Sequence, residues 1–242
     1  MAAGRVAILG ATSTIARALA ARYAQEGRDL LLCGRDLPEV EAVARDLALR
    51  YGIETDACLL DPAAEDYPQL LWRLDGSAPL AGVVWAIGTM AAAAGQAGAA
   101  ELRDTTWVNF GAAVAAIEAL LPAIDPGGFV VVLSSVAGER GRARNYVYGA
   151  AKAALSVYAQ GLNQRLAGTG PRVTAVQLGV VDSQMTWGMA GGPHGADPER
   201  VALAIAAAVR RRRARVHVPA VWALVMLALR ALPEGIFNRL NL

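Results

Sequence analysis

Seven short apolar runs, at residues 5–9, 28–33, 53–60, 82–87, 129–133, 172–178 and 215–218, alternate along this chain with stretches of helical spacing at 37–51, 63–74, 99–121, 146–166 and 198–212. Runs of this length rich in Val, Leu and Ile read as buried strands, and the longer periodic stretches between them, many ending at glycine or proline, read as amphipathic helices. Strand and helix in strict succession leave few topologies. Each crossover is right-handed, so the strands lie parallel and the sheet is covered on both faces. The expected fold is therefore a single α/β doubly wound, Rossmann-like domain with a seven-stranded parallel sheet over residues 1–218. In such a sheet, ligands bind beyond the carboxyl ends of the strands, which is where Gly10, Gly88, Ser135 and Gly179 fall.

The first of these junctions reads RVAILGATSTIARA over residues 5–18. Gly10 interrupts the strand run, Thr12 and Ser13 can cap a helix, and the period becomes helical from Ile15 through Leu19 and Tyr23. A helix entered through small residues presents free backbone N–H groups and the positive end of its dipole, which suits a pyrophosphate. The hydroxyl of Thr14 can donate to a phosphate oxygen. The same residues also suit an ordinary strand-to-helix turn.

Farther along, Tyr148 and Lys152 stand one helical turn apart, so on a helix both side chains rise from one face. A free phenol titrates near about 10, and a cation within a few ångströms favours its anion. Ser134 and Ser135 precede the pair closely, which brings a hydroxyl, a phenol and an ammonium within reach of a common proton-transfer site. A tyrosine and a lysine at this spacing also occur on many solvated helices.

Taken together, Gly10 with its small-residue turn, Ser135, Tyr148 and Lys152 in that order resemble the short-chain dehydrogenase/reductase family, over residues 5–190 or so. Ser135 precedes Tyr148 by thirteen positions, an interval common in that family, and Asn109 resembles the helix asparagine that completes its catalytic tetrad. The resemblance implies an NAD(P)-dependent enzyme interconverting a carbonyl and an alcohol. Tyr148 would then be the acid and base, Ser135 would hold the substrate oxygen, Lys152 would bind the nicotinamide ribose and depress the tyrosine pKa, and Asn109 would order a relay water. It also implies cofactor contacts from Gly10, Thr12, Ser13, Thr14 and Ile15, from Asp61 beside the adenine, from Ala86 and Gly88 beside the ribose, and from Val181 and Ser183 near the nicotinamide. The chain departs from the family pattern at Leu9, Thr14 and Ala16 in the glycine loop, at Trp85 and Ile87 in the next motif, and at Leu178 before Gly179.

Cofactor choice is read at the end of the second strand, where NAD enzymes place a carboxylate on the ribose hydroxyls and an arginine can pair with a 2′-phosphate. Gly34 and Arg35 stand there, so NADP(H) is favoured over NAD(H), and Asp36 beyond them suits a helix cap.

Composition fits one compact domain: 242 residues, 55% hydrophobic and 18% charged, with a formal charge of +2 that gives no general attraction for nucleic acid despite the run Arg210 to Arg213. Two cysteines without a metal-ligand pattern and no leader sequence suggest the cytoplasm. Ser135 lacks a nucleophile elbow, and neither His194 nor His217 has a recognisable partner, so a serine hydrolase is not indicated. Met185, Trp187 and Met189, followed by Gly191, Gly192 and Pro193, suggest an apolar lid and a hydrophobic substrate. Residues 219–242 form an apolar extension, too short to span a bilayer, that can pack on the body, on a partner subunit or on a membrane surface. Alanine-rich faces on the helices at 99–121 and 146–166 suggest a homodimer or homotetramer. A cofactor-sensing regulator is the alternative, disfavoured because it need not keep the tetrad.

Overall fold

The computed structural model of the protein describes residues 4–63, 67, 79–90, 98–186 and 195–240. Strands β1 (Val6–Leu9), β2 (Leu30–Gly34), β3 (Thr55–Leu59), β4 (Leu80–Trp85), β5 (Ile124–Ser135), β6 (Arg172–Leu178) and β7 (Arg215–Val218) form one sheet in the order β3-β2-β1-β4-β5-β6-β7. Every pairing is parallel. The strand order reverses between β1 and β4, which opens a crevice at their carboxyl ends.

Helices α1 (Thr14–Gln25), α2 (Leu37–Tyr51), α3 (Ala99–Thr106), α4 (Ala112–Leu120), α5 (Tyr146–Arg165), α6 (Pro198–Arg210), α7 (Val221–Ala231) and α8 (Glu234–Phe237) connect and flank the strands, with short π and 3₁₀ turns between them. Alternate strand residues feed two cores. Leu9, Trp85 and Val132 pack with Ile117 and Leu155 on one face, and Ile8, Val84 and Val131 pack with Leu19, Val40 and Ile205 on the other. The doubly wound architecture expected from the alternation is thus present, with a seven-stranded parallel sheet.

Local signals explain the best-defined helix. Asp36 accepts from Glu39 N, proline stands in the first turn, and Gly52 closes α2 with φ +66°. Two elements differ from expectation. The stretch at 99–121 is not one regular helix: a π turn over Trp107–Gly111 separates α3 from α4. Strand β5 begins five residues earlier than its apolar run, because Ile124 pairs with Leu80 before a register shift and Asp125 Oδ1 accepts from Gly127 N across the irregular turn. The helical run Ala99–Ala123 is long and apolar enough to cross a bilayer by length and composition, but Asn109, Ala112, Ala113, Ala116, Ile117 and Leu120 within it are buried in the domain core.

Most of the expected helix at 63–74, residues 91–97, and Trp187, Met189, Gly191, Gly192, Pro193 and His194 lie outside the described residues.

Candidate active site

A cleft of about 910 Å³ opens over the carboxyl ends of β1, β2, β4 and β5. Its floor is backbone. Gly10 has φ +92°, and a β-carbon there would stand 2.8 Å from Ile87 Cγ1 and 3.0 Å from the Ala86 carbonyl carbon, so only glycine fits the turn. Ser13 caps α1, its hydroxyl accepting from Ala16 N at 3.3 Å. The first amides of α1, at Thr14 and Ile15, lack intrahelical partners and line the cleft with Thr12 and Ser13. These residues fit a dinucleotide phosphate: a glycine-cleared loop, a capped helix start and the positive end of its dipole.

At the end of β2, a β-carbon on Gly34 would lie 2.9 Å from Val40 Cγ2, so a side chain there requires Val40 to shift. Asp36 uses its carboxylate as the cap of α2, and Arg17 is ion-paired with Glu39. Arg35 is exposed at the rim of the cleft and has no ion-pair partner among the described residues.

Tyr148, Lys152 and the two serines gather where β4 and β5 end. Lys152 is buried, and its Nζ donates to Leu133 O at 3.0 Å and lies 5.7 Å from the centroid of the Tyr148 ring. Burial without a counter-charge lowers the Lys152 pKa to about 8. Tyr148 is pushed up by its own burial, and the Ser135 hydroxyl and the Arg142 charge pull it back. Arg142 is the charge that pulls the phenol back here. The Lys152 ammonium is directed at a backbone carbonyl and is itself destabilised by burial.

The two serines divide. Ser134 is buried and bonded, donating to Lys152 O at 2.9 Å with the Ser156 hydroxyl 2.8 Å away. Ser135 faces Tyr148 and accepts from Ala137 N at 3.1 Å. Asn109 sits in the π turn, fully buried. Its Nδ2 donates to Thr89 O at 2.7 Å and Thr105 O at 2.8 Å, and its Oδ1 accepts from Thr89 N at 3.2 Å. The side chain thus clamps the strand exit at Gly88 and Thr89.

A family model for short chain dehydrogenases matches residues 5–191. The chain belongs to the short-chain dehydrogenase/reductase family. It is 34% identical over 245 residues to an uncharacterized oxidoreductase of Mycobacterium tuberculosis, covering 98% of this chain and 97% of that one. It is 30% identical to a sulfoacetaldehyde reductase of Chromohalobacter salexigens, covering 79% of this chain and 78% of the relative. Among solved structures it resembles a short-chain dehydrogenase from Sphingobium yanoikuyae in complex with NADPH, at 26% identity and a TM-score of 0.84, covering 98% and 96% of the two chains. The protein is accordingly an oxidoreductase of the NAD(P)-binding Rossmann type.

Within this short-chain dehydrogenase/reductase, the cleft is lined by Gly10, Thr12, Ser13, Thr14, Ile15, Arg35, Ala86, Gly88, Tyr148, Lys152 and Ser183 among the residues singled out from the sequence. Asp61, Asn109, Ser135 and Val181 are not part of that lining. The Asp61 carboxylate accepts from Ala63 N at 3.0 Å, and Val181 is buried in an isolated bridge to Ala196. Pro38, Glu39, Gln184 and Leu133 also line the cleft, and none of them was assigned a role there from the sequence. Arg142, which acts on the Tyr148 phenol, was missed too. It belongs to no motif, and only the folded turn brings it there.

Proposed function

We propose that the protein is an NADP(H)-preferring reductase that interconverts a carbonyl and an alcohol, with Tyr148 as general acid and base. One observation carries the reading: Tyr148, Lys152 and the Gly88 exit line the same cleft as the α1 phosphate cradle, with Ser135 directed at the phenol and Asn109 clamping that exit. The nicotinamide cofactor supplies the hydride. Tyr148 donates its proton to the developing alkoxide, and Ser135 holds the same oxygen through its hydroxyl. Lys152 holds the ribose hydroxyls and, once hydrogen-bonded to them, keeps its charge near the phenol. Asn109 positions the Gly88 segment and with it the floor of the site; its amide is committed to the backbone, which weighs against a free amide ordering a relay water.

Arg35 is assigned to the 2′-phosphate, supported by its freedom from ion pairs among the described residues and by the crowding of Gly34 against Val40. Cofactor contacts from Asp61 and Val181 remain part of the proposal only through the family resemblance. Met185 in the cleft lining and the Trp222 indole packed over Gly179 support apolar surface on the substrate. The name of the Chromohalobacter relative adds the thought of a short aldehyde. We further propose a cytoplasmic homo-oligomer paired through α3, α4 and α5, on whose outer face Val157 is 66% exposed. The extension at 219–242 is proposed to pack on the body, as Met226 and Phe237 are buried, with Val221, Leu224 and Leu227 left for a partner subunit or a lipid surface.

The test is NADPH and NADH oxidation by the purified protein with a panel of ketones and aldehydes. Turnover with NADPH exceeding that with NADH is expected. Tight NADPH binding with no turnover on any carbonyl would instead favour the cofactor-sensing alternative.

A further inference from the structure

The turn joining the serine segment to α5 carries four charged side chains, and the two nearest the serine are committed. The Glu139 carboxylate is nearly buried and meets His217 Nε2 at 2.6 Å, Arg215 at 3.0 Å and Arg230 at 3.8 Å. Arg140 donates to the carbonyls of Leu229 and Leu232 at the end of α7, and its guanidinium lies 3.8 Å from the centroid of the Phe237 ring. Arg144 is exposed to solvent.

Arg142 is different. It is half-buried, its Nε is sealed from solvent, and that Nε has no hydrogen-bond partner among the described residues. Three residues on, at the start of α5, the buried Oδ1 of Asn145 also lacks a partner among the described residues. Burial and the neighbouring Arg144 push the Arg142 pKa down while Tyr148 raises it, so the guanidinium is within electrostatic reach of the catalytic phenol. A half-buried cation without an acid is a standing cost to the fold. An arginine cannot relieve that cost by giving up its proton at ordinary pH. A ligand anion can relieve it, and the planar fork of the guanidinium matches a carboxylate or sulfonate in bidentate fashion.

We infer that Arg142 is the recognition group for an oxyanion, a carboxylate or sulfonate, that the substrate carries within a few bonds of its reacting carbonyl. The inference rests on the proposed carbonyl reduction and adds to it the chemical class of substrate. It also couples binding to chemistry. An anion on Arg142 cancels the positive charge that favours the phenolate, so Tyr148 holds its proton when an acidic substrate arrives and has one to donate.

The experiment compares 4-oxobutanoate with its neutral methyl ester, using the full chain and NADPH. The parent is expected to favour the acid in kcat/KM by about 10-fold or more, the weight of one charge-assisted contact. Arg142→Gln should lower the acid-to-ester ratio about 10- to 100-fold, chiefly through KM for the acid, and Arg142→Lys should restore part of it. Arg144→Gln, which changes the same net charge on the exposed side of the turn, should leave the ratio unchanged. A parent that reduces the ester as well as the acid overturns the inference. So does an Arg142→Gln enzyme whose losses on the two substrates are equal and accompanied by a shifted pH profile, since Arg142 would then act only through Tyr148. Calorimetry of butanoate binding to the NADPH-loaded protein separates the two readings. Arg142-dependent binding without turnover would sink the reductase and leave the anion site standing, whereas turnover without such binding would do the reverse.

Discussion

Asn109 Oδ1 and Lys152 Nζ converge on the same point above Gly88, 3.0 and 3.2 Å from where a β-carbon on that residue would stand. The absent side chain lets two buried polar groups from two helical segments meet at the exit of β4. Gly88→Ala should therefore push both aside by a few tenths of an ångström, enough to misplace the lysine relative to Tyr148. Turnover is expected to fall about 10- to 100-fold, with a stability loss of only about 1 kcal/mol. Steady-state kinetics beside a denaturation curve check both numbers, and a variant as active as the parent would show that the convergence has no catalytic role.

Tyr148→Phe removes one hydroxyl and keeps the ring. Loss of a positioned proton donor is worth about 100-fold or more in turnover. NADPH affinity, measured by fluorescence titration, should stay within a few-fold of the parent. Turnover close to the parent's on a substrate limited by chemistry would remove Tyr148 from the mechanism.

How much of this site was legible depended on whether the deciding contacts are local. Helix α2 carries its own instructions in Asp36, Pro38 and Gly52, so its limits were readable to the residue. Spacing also chose Ser135 over Ser134, whose hydroxyl is bound to Lys152 O and lies beside that of Ser156. The π turn was not legible, because the break in the helix is stabilised by Asn109 bonding Thr89, twenty residues away in sequence. Nor was the electrostatics of the Tyr148 and Lys152 pair. Their separation along α5 can be counted from the sequence, but the burial that raises one pKa and lowers the other is a property of the packed sheet and helices around them.

Arg35→Ala should weaken NADPH binding more than NADH binding, because a charge-assisted contact to phosphate contributes about 1.5–3 kcal/mol, or roughly 10- to 100-fold in affinity. Arg35 makes no ion pair with a described residue, so its removal leaves no acid unpaired and the loss reads directly on the cofactor. Titration of both nucleotides into parent and variant decides the matter. Equal losses, or a parent that already prefers NADH, would contradict the assignment.

Lys152 is the only lysine of the chain, which makes its titration separable from that of other amines except the N-terminus. Its pKa in the folded protein is about 8, against an ordinary 10.5 that the unfolded chain regains. Below pH 8 the residue is protonated in both states, and the fold bears the cost of a buried ammonium. Between about 8 and 10.5 the unfolded chain binds the extra proton, so the free energy of unfolding contributed by this group rises with pH and levels off above 10.5. At about 1.4 kcal/mol for each pH unit, the full rise is about 3 kcal/mol. Lys152→Met abolishes that rise and should therefore match or exceed the parent in stability at pH 7 while losing nearly all turnover. Urea denaturation of the nucleotide-free proteins between pH 7 and 10 reads the difference. A parent and a Lys152→Met variant with parallel stability curves across that window would mean that the buried lysine titrates no differently in the folded protein than in the unfolded chain.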